Sequence, residues 1–231
     1  SGWWPPSVCC TCLAVSTMPP PPRSVMVRGL TAWYLGCRAY PIEAGDWILV
    51  HAAAGGVGHI LSQWAKHLGA TVIGTAGSDE KTEIAASFGC DHVINYSDTN
   101  VADAVRDLTG GAGVHAVFDA VGRDTFEASL DSLADLGHLV SYGAASGDVT
   151  GIDPILFMHK GSIHFTRASL RHYTKERSEL EAGAEALFGL IADGTIRAKI
   201  NRFHGLEEMA AAHRALESRQ LTGSVVVTLG D

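Results

Sequence analysis

A glycine-rich turn near the start of the regular part of the chain has the residue types that bind phosphate. It follows the apolar segment Trp47–Val50 and reads HAAAGGVG over residues 51–58. Glycine lets a pyrophosphate approach the backbone, and a helix beginning there offers free N–H groups and the positive end of its dipole. An amphipathic helical pattern follows over residues 56–68. Strand, glycine turn and helix in this order predict a dinucleotide site, although glycine in such turns also serves packing alone.

The residues after the next predicted strand indicate which nucleotide binds. An acidic residue about 20 positions beyond the glycine turn often binds the ribose of NAD, and Asp79 lies at that distance. However, Ser78 is typical of a helix N-cap, which places Asp79 in a first helical turn, where an acid favours the helix dipole instead. Lys81 can reach toward a 2′-phosphate through a charge-assisted bond. Lys81 is therefore a candidate for binding a 2′-phosphate, which NADPH carries and NADH lacks.

Short apolar segments alternate with helical patterns after Val25. The predicted strands begin near residues 47, 71, 92, 115, 138 and 162. The predicted helices between the early strands cover residues 56–68, 79–88, 99–108 and 124–134. This alternation indicates a parallel sheet covered on both faces, which is an α/β, doubly wound fold of the Rossmann type. The last part of the chain is predicted to form a helix (176–193), a strand (199–203), a helix (206–217) and a strand (224–229).

The composition argues against several classes of protein. The chain has 231 residues, of which 46% are hydrophobic, and a formal net charge of −8. The negative charge argues against a nucleic-acid or anionic-membrane partner. Apolar runs fall short of the roughly 20 residues that span a bilayer, and the start does not resemble a signal peptide. The five cysteines form no disulfide framework, so the sequence indicates the reducing cytoplasm.

Residues 1–24 differ from the rest of the chain. They contain Cys9, Cys10 and Cys12 and four prolines over residues 19–22, without a periodic pattern. Such a run of prolines cannot continue a helix or a central strand. Two interpretations stay open, a disordered leader and a stretch read out of frame. The three cysteines lack a second ligand cluster, so we predict no metal site.

Five segments carry a family resemblance: GLTAWYL (29–35), GDWILVHAAAGGVG (45–58), GCDHVINY (89–96), FDAVG (118–122) and TGS (222–224). Together they resemble the zinc-independent, zeta-crystallin-like quinone oxidoreductases of the medium-chain dehydrogenase/reductase superfamily. Members of that family carry an additional N-terminal GroES-like catalytic domain, most of which is missing here. The resemblance implies a Rossmann cofactor domain over residues 25–197. It also implies that residues 198–231 are a remnant that returns to the truncated GroES-like domain.

The same resemblance implies which residues bind NADPH. The pyrophosphate would lie at Gly55, Gly56, Val57 and Gly58. The 2′-phosphate would lie at Lys81, Tyr96 and Arg219. The nicotinamide side would be lined by Thr31, Val121, Tyr142, Gly143 and Leu170. The implied cofactor-binding set is completed by Ala53, Gly77 and Ser78.

The activity implied by the resemblance is hydride transfer from NADPH to a quinone or a similar electron-poor small molecule. We predict no catalytic residue, because Asp119 is interpreted as structural and because His51 and His59 flank the glycine turn without an evident partner. Two alternatives stay open, an enoyl reductase of the polyketide or fatty acid synthase type and a non-catalytic nucleotide-binding fragment. The resemblance also implies a homodimer formed through the edge of the sheet, at the strand over 161–166.

Overall fold

The computed structural model describes residues 21–217 and 222–228, and its main element is a six-stranded sheet. The strands are β1 (Trp47–Val50), β2 (Thr71–Ala76), β3 (His92–Asn95), β4 (Val114–Asp119), β5 (Leu133–Ser141) and β6 (His164–Arg167). They lie in the order β3-β2-β1-β4-β5-β6, and every neighbouring pair is parallel. This order is that of the doubly wound Rossmann fold, so the predicted fold class is confirmed.

Helices connect and cover the strands. They are α1 (Pro21–Tyr34), α2 (Gly58–His67), α3 (Asp79–Ser87), α4 (Val101–Leu108), α5 (Phe126–Ser132), α6 (Ile155–His159), α7 (Leu170–Tyr173) and α8 (Arg177–Ala192). A short π-helical segment, Leu35–Ala39, extends α1. None of the helices in the described ranges is long and apolar enough to cross a bilayer.

Side chains alternate between the two faces of the sheet and form two apolar clusters. Along β1, Ile48 and Val50 join the cluster under α1, α2 and α8, whereas Leu49 joins the cluster under α4 and α5. All three side chains are fully buried. Burial on both faces explains why the strands appear in the sequence as apolar runs. It also makes the sheet a rigid support for the loops at its edges.

The first helix begins inside the predicted leader. It spans Pro21–Tyr34, so its first turn lies within residues 1–24. Pro21 and Pro22 lie in its first turn, where an N–H group has no partner within the helix and its loss is tolerated. Further along, α1 packs closely against α8, since a Cβ on Gly29 would overlap the Leu187 side chain.

The last part of the described chain forms a second, smaller sheet. Strand β7 (Ile200–His204) pairs in parallel with β8 (Ser224–Thr228), and between them lie a 3₁₀ turn (Leu206–Glu208) and α9 (Met209–Glu217). These elements correspond to the predicted ones. One backbone contact ties this part to the glycine turn, because the Gly223 N–H donates to the Ala54 carbonyl at 3.1 Å.

Candidate cofactor-binding site

The residues predicted to bind the cofactor follow the carboxyl ends of the parallel strands. The glycine turn follows β1, and the other loops place Gly77 and Ser78 after β2, Tyr96 after β3, Val121 after β4, and Tyr142 and Gly143 after β5. Neighbouring β1 and β4 are not consecutive in the chain, so the connections after them run to opposite faces of the sheet. A crevice at this switch point is where open α/β sheets bind ligands.

The glycine turn is sharp and depends on the absence of side chains. Ala52 has a φ of +53°, in the left-handed region, and its carbonyl accepts the Gly55 N–H at 2.8 Å. A Cβ on Gly58 would overlap the Ala52 carbonyl oxygen and the Ala53 Cα. Helix α2 starts at Gly58 with no side-chain cap and no acidic residue in its first turn. The N–H groups of His59, Ile60 and Leu61 already donate to carbonyls of the turn, so the N–H groups of residues 56–58 are the ones that suit an anionic ligand.

Arg28, which the sequence analysis missed, lies against this turn. Its half-buried side chain extends from α1 and contacts Gly56 so closely that a Cβ there would overlap the guanidinium group. Burial lowers the pKa of Arg28, yet a guanidinium remains charged at neutral pH. No carboxylate within the described ranges forms an ion pair with it. A cation beside the positive end of α2 is unfavourable unless an anion lies nearby.

The residues predicted for the 2′-phosphate lie around the ends of β2 and β3. The Tyr96 hydroxyl lies directly over Gly77, where a Cβ would overlap it, and the Tyr96 side chain is 55% exposed. Lys81 is half-buried in α3. Ser78 has the extended backbone of an N-cap residue, but its hydroxyl makes no capping hydrogen bond. Arg219 lies outside the described residues.

Asp79 connects two loops beside this group. The Asn95 amide donates to Asp79 Oδ1 and to Asp98 Oδ2, both at 2.9 Å. The Ser97 N–H in turn donates to Asn95 Oδ1 at 3.1 Å. These bonds hold the loop after β3 against the start of α3, so the Asp79 carboxylate has a structural partner.

The predicted nicotinamide side is largely apolar. Leu170 is half-buried and packs against the apolar cluster under α1. The Thr31 hydroxyl donates to a carbonyl of its own helix at 2.7 Å. Gly143 lies so close to the loop after β4 that a Cβ would overlap its backbone. The Tyr142 hydroxyl is buried and has no hydrogen-bond partner among the described residues.

The expectation that His51 and His59 lack partners is wrong. His51 is 1% exposed, and its ring nitrogens lie 3.1 Å from Thr75 Oγ1 and 3.0 Å from Ser129 Oγ. His59 Nδ1 lies 2.7 Å from the Gly55 carbonyl. Burial lowers the pKa of both imidazoles and keeps them neutral. The partners of His51 are distant in the chain, so no local pattern could reveal them.

Asp119 is a buried carboxylate that shapes the loop after β4. Its Oδ1 accepts the N–H groups of Val121 at 2.7 Å and Gly122 at 3.1 Å. Its Oδ2 accepts the hydroxyls of Thr125 at 2.8 Å and Ser129 at 3.2 Å. All four donors belong to the protein, so the arrangement is that of a structural carboxylate.

Metal-ligating side chains are scattered over the part of the chain that the structure describes. No group of three or more His, Cys, Asp or Glu residues there is placed to hold a metal ion. The thiols of Cys37 and Cys90 are free, and burial raises the pKa of both, that of Cys90 to about 11. Cys9, Cys10 and Cys12 lie outside the described residues.

Comparison with known proteins places this geometry in context. A family model described as "Zinc-binding dehydrogenase" matches residues 56–187. The chain is 44% identical over 207 residues to a 2-haloacrylate reductase of Burkholderia sp, covering 88% of this chain and 61% of that protein. It is 47% identical over 204 residues to a quinone oxidoreductase of Pseudomonas aeruginosa, covering 88% and 63%.

A solved structure is similar as well. The quinone oxidoreductase of Escherichia coli complexed with NADPH matches with a TM-score of 0.83 and 43% identity, covering 87% of this chain and 62% of that one. The chain thus spans between 61% and 63% of the length of these three proteins.

Proposed function

Because the chain belongs to the zinc-binding dehydrogenase family of the medium-chain dehydrogenase/reductase superfamily, we propose that it binds NADPH and takes part in hydride transfer to a quinone or a similar electron-poor small molecule. Family membership confirms the predicted resemblance. The quinone oxidoreductase relatives support the acceptor, and the NADPH in the structure of the Escherichia coli relative supports the cofactor. Because the chain spans less than two thirds of the length of these relatives, the proposal assigns to it the cofactor-binding part of the reaction.

The observation that carries the proposal is the cradle formed by the glycine turn, the uncapped start of α2 and Arg28. A pyrophosphate in this cradle would accept hydrogen bonds from backbone N–H groups and form an ion pair with the Arg28 guanidinium. The missing Cβ of Gly58 lets the turn close against the Ala52 carbonyl, and the missing Cβ of Gly56 leaves room for the Arg28 guanidinium beside the turn. The donor set therefore fits the doubly charged pyrophosphate of NADPH.

The loops after β2 and β3 support NADPH over NADH. We infer that the 2′-phosphate would lie near Lys81, Tyr96 and the Ser78 hydroxyl. Asp79, the acidic residue at the spacing typical of NAD-binding proteins, is already held by Asn95. A cation and hydroxyl donors without a free carboxylate suit a phosphate better than a ribose diol.

When bound, NADPH supplies a hydride from its nicotinamide C4, and the protein supplies binding and orientation. The Val121 N–H donates to Asp119 and the Val121 carbonyl accepts from Ser146, so the Val121 side chain would line the nicotinamide side from a fixed loop. The side chains of Tyr142 and Leu170 would form an apolar wall that excludes water from the reacting ring. Holding cofactor and acceptor in line is the catalytic contribution we assign to this chain.

Two substitutions should separate pyrophosphate binding from 2′-phosphate binding. Arg28→Met should weaken NADPH and NADH binding by a similar factor, roughly three- to tenfold, because both carry the pyrophosphate. Lys81→Ala should weaken NADPH binding by a comparable factor and leave NADH binding unchanged. Fluorescence titration measures both affinities. Wild-type affinities in Arg28→Met, or an equal loss of both cofactors in Lys81→Ala, would contradict these assignments.

An activated alkene is a second candidate acceptor. The observation that favours it is the 44% identity to a 2-haloacrylate reductase. Assaying NADPH oxidation with quinones, 2-haloacrylates and 2-enoyl thioesters in parallel distinguishes the candidates. Turnover with quinones supports the first proposal, and turnover with the alkenes alone supports a reductase of carbon–carbon double bonds. NADPH binding without any turnover would indicate a nucleotide-binding module.

We also propose that two copies associate through the edge strand β6. Large apolar side chains are exposed beside it, with Leu136 at 64%, Met158 at 55% and Ile155 at 49%. The Leu136 N–H donates to the Gly161 carbonyl at 2.7 Å, which places Leu136 next to the edge. Pairing two edges would cover these side chains.

Light scattering of the wild type should give twice the monomer mass. Leu136→Lys should reduce the measured mass to that of the monomer. A wild type that is only monomeric would contradict the dimer.

The small sheet of β7 and β8 is proposed to belong with the additional domain of the longer relatives. A two-stranded sheet is marginal by itself. Met209 and His213 on the adjacent α9 are exposed, so this helix face is open to further contacts. Strands of a longer protein would extend the sheet and cover the helix.

A cytoplasmic location is also proposed. The described cysteines, Cys37 and Cys90, are free thiols. Cys90 is buried, and its thiol donates to Ser62 Oγ at 3.4 Å. Free, buried thiols are typical of proteins in a reducing compartment.

A further inference from the structure

A buried chain of hydrogen bonds runs beneath the proposed cofactor crevice. The Ala52 N–H donates to Thr75 Oγ1 at 3.4 Å, and Thr75 Oγ1 lies 3.1 Å from His51 Nδ1. His51 Nε2 lies 3.0 Å from Ser129 Oγ, which lies 3.2 Å from Asp119 Oδ2. The four side chains are at most 1% exposed. None of them can touch a substrate, so their role must be exerted through the loops that they join.

The donors and acceptors of this chain fit together in one direction. The Asp119 carboxylate only accepts, so the Ser129 hydroxyl donates to it and accepts from His51 Nε2–H. His51 Nδ1 then carries no proton and accepts the Thr75 hydroxyl, whose oxygen accepts the Ala52 N–H. Each bond is satisfied only when His51 is neutral with its proton on Nε2.

The two ends of this series of hydrogen bonds lie in the two loops that face the proposed cofactor. One end is the Ala52 N–H in the glycine turn. The other is Asp119, which holds the N–H groups of Val121 and Gly122. We propose that His51 is a positioning residue that fixes these two loops relative to each other, so that the pyrophosphate and nicotinamide sites form together. This inference rests on the proposed NADPH function.

The first test removes a hydrogen bond at the end of the series that is remote from the glycine turn. Ser129→Ala should weaken binding of adenosine 2′,5′-bisphosphate, a probe without a nicotinamide, roughly three- to tenfold. Ser132→Ala is the matched control. Ser132 is equally buried in α5, but its hydroxyl donates to the Ala128 carbonyl of its own helix at 2.7 Å. Ser132→Ala should bind the probe like the wild type.

A second variant tests whether the bonds act as one unit. Thr75→Val interrupts the hydrogen-bond series beside the glycine turn and should give a similar loss of affinity for the probe. Because one break already uncouples the loops, the double variant Thr75→Val/Ser129→Ala should lose no more than either single variant. Losses that add would show that Thr75 and Ser129 act independently and would overturn the inference.

Two further outcomes separate this inference from the proposed function. Wild-type affinity in Ser129→Ala, or an equal loss in Ser132→Ala, would overturn the positioning role and leave the proposed function intact. A wild type that binds neither the probe nor NADPH would overturn both. If a variant does not fold, nitrogen-15 NMR of the wild type still tests the inference, because it shows which ring nitrogen of His51 carries the proton. A proton on Nδ1 would overturn the inference.

Discussion

Replacing Gly58 with alanine is expected to weaken NADPH binding at least roughly thirtyfold, which corresponds to about 2 kcal/mol. The new Cβ would overlap the Ala52 carbonyl oxygen and the Ala53 Cα. Both are backbone atoms, so the turn itself must open, and the N–H groups at the start of α2 would move away from the pyrophosphate. Fluorescence titration measures the affinity, and circular dichroism confirms that the variant is folded.

Gly189→Ala is the matched control for this prediction. Gly189 also lies in a helix, α8, but a Cβ there would meet no atom within 4 Å. NADPH binding should stay unchanged, and the free energy of unfolding should rise by about 0.5–1 kcal/mol, because glycine is unfavourable inside a helix. Unchanged NADPH affinity in a folded Gly58→Ala variant would contradict the role of the glycine turn.

Replacing Asp119 with alanine is expected to lower the free energy of unfolding by about 3–5 kcal/mol. The carboxylate accepts two backbone N–H groups and two hydroxyls in a site that is 1% exposed. Its removal leaves several buried donors without a partner, and each costs roughly 1–3 kcal/mol before the loop relaxes. Urea denaturation measures the change.

Asp124→Ala serves as the comparison on the same loop. The Asp124 side chain is 63% exposed, and its carboxylate lies 3.5 Å from the exposed Arg123 guanidinium. Exposed ion pairs contribute little, so the free energy of unfolding should change by less than about 1 kcal/mol. If Asp119→Ala were as stable as Asp124→Ala, the buried carboxylate would not organise the loop after β4.

The sheet and its helices could be predicted from the sequence because burial is periodic. Strands such as Trp47–Val50 are covered on both faces and so appear as apolar runs, whereas helices such as Gly58–His67 show a one-sided pattern. The glycine turn between these two elements was recognisable for the same reason, since strand, turn and helix are consecutive in the chain. Local patterns therefore indicated that the predicted residues lie at the carboxyl ends of the parallel strands.

Contacts between distant segments could not be predicted in this way. Arg28 meets the glycine turn because α1 packs across it, and His51 meets Ser129 because β1 and α5 are neighbours in space. Neither pair has a spacing that a periodic pattern records. At Ser78 a local pattern predicted more than the structure contains. Ser78 has the backbone geometry of an N-cap residue, but its hydroxyl makes no capping hydrogen bond.

Parallel titration of the purified chain with NADPH and NADH, followed by cofactor fluorescence, tests the central claim most directly. The cradle of glycine turn, α2 and Arg28 predicts saturable binding of NADPH. The loops that carry Lys81 and Tyr96 predict NADH binding that is weaker by roughly tenfold, about 1.4 kcal/mol. Binding of neither nucleotide would contradict the proposed cofactor site, and equal affinity for the two would contradict the proposed 2′-phosphate site.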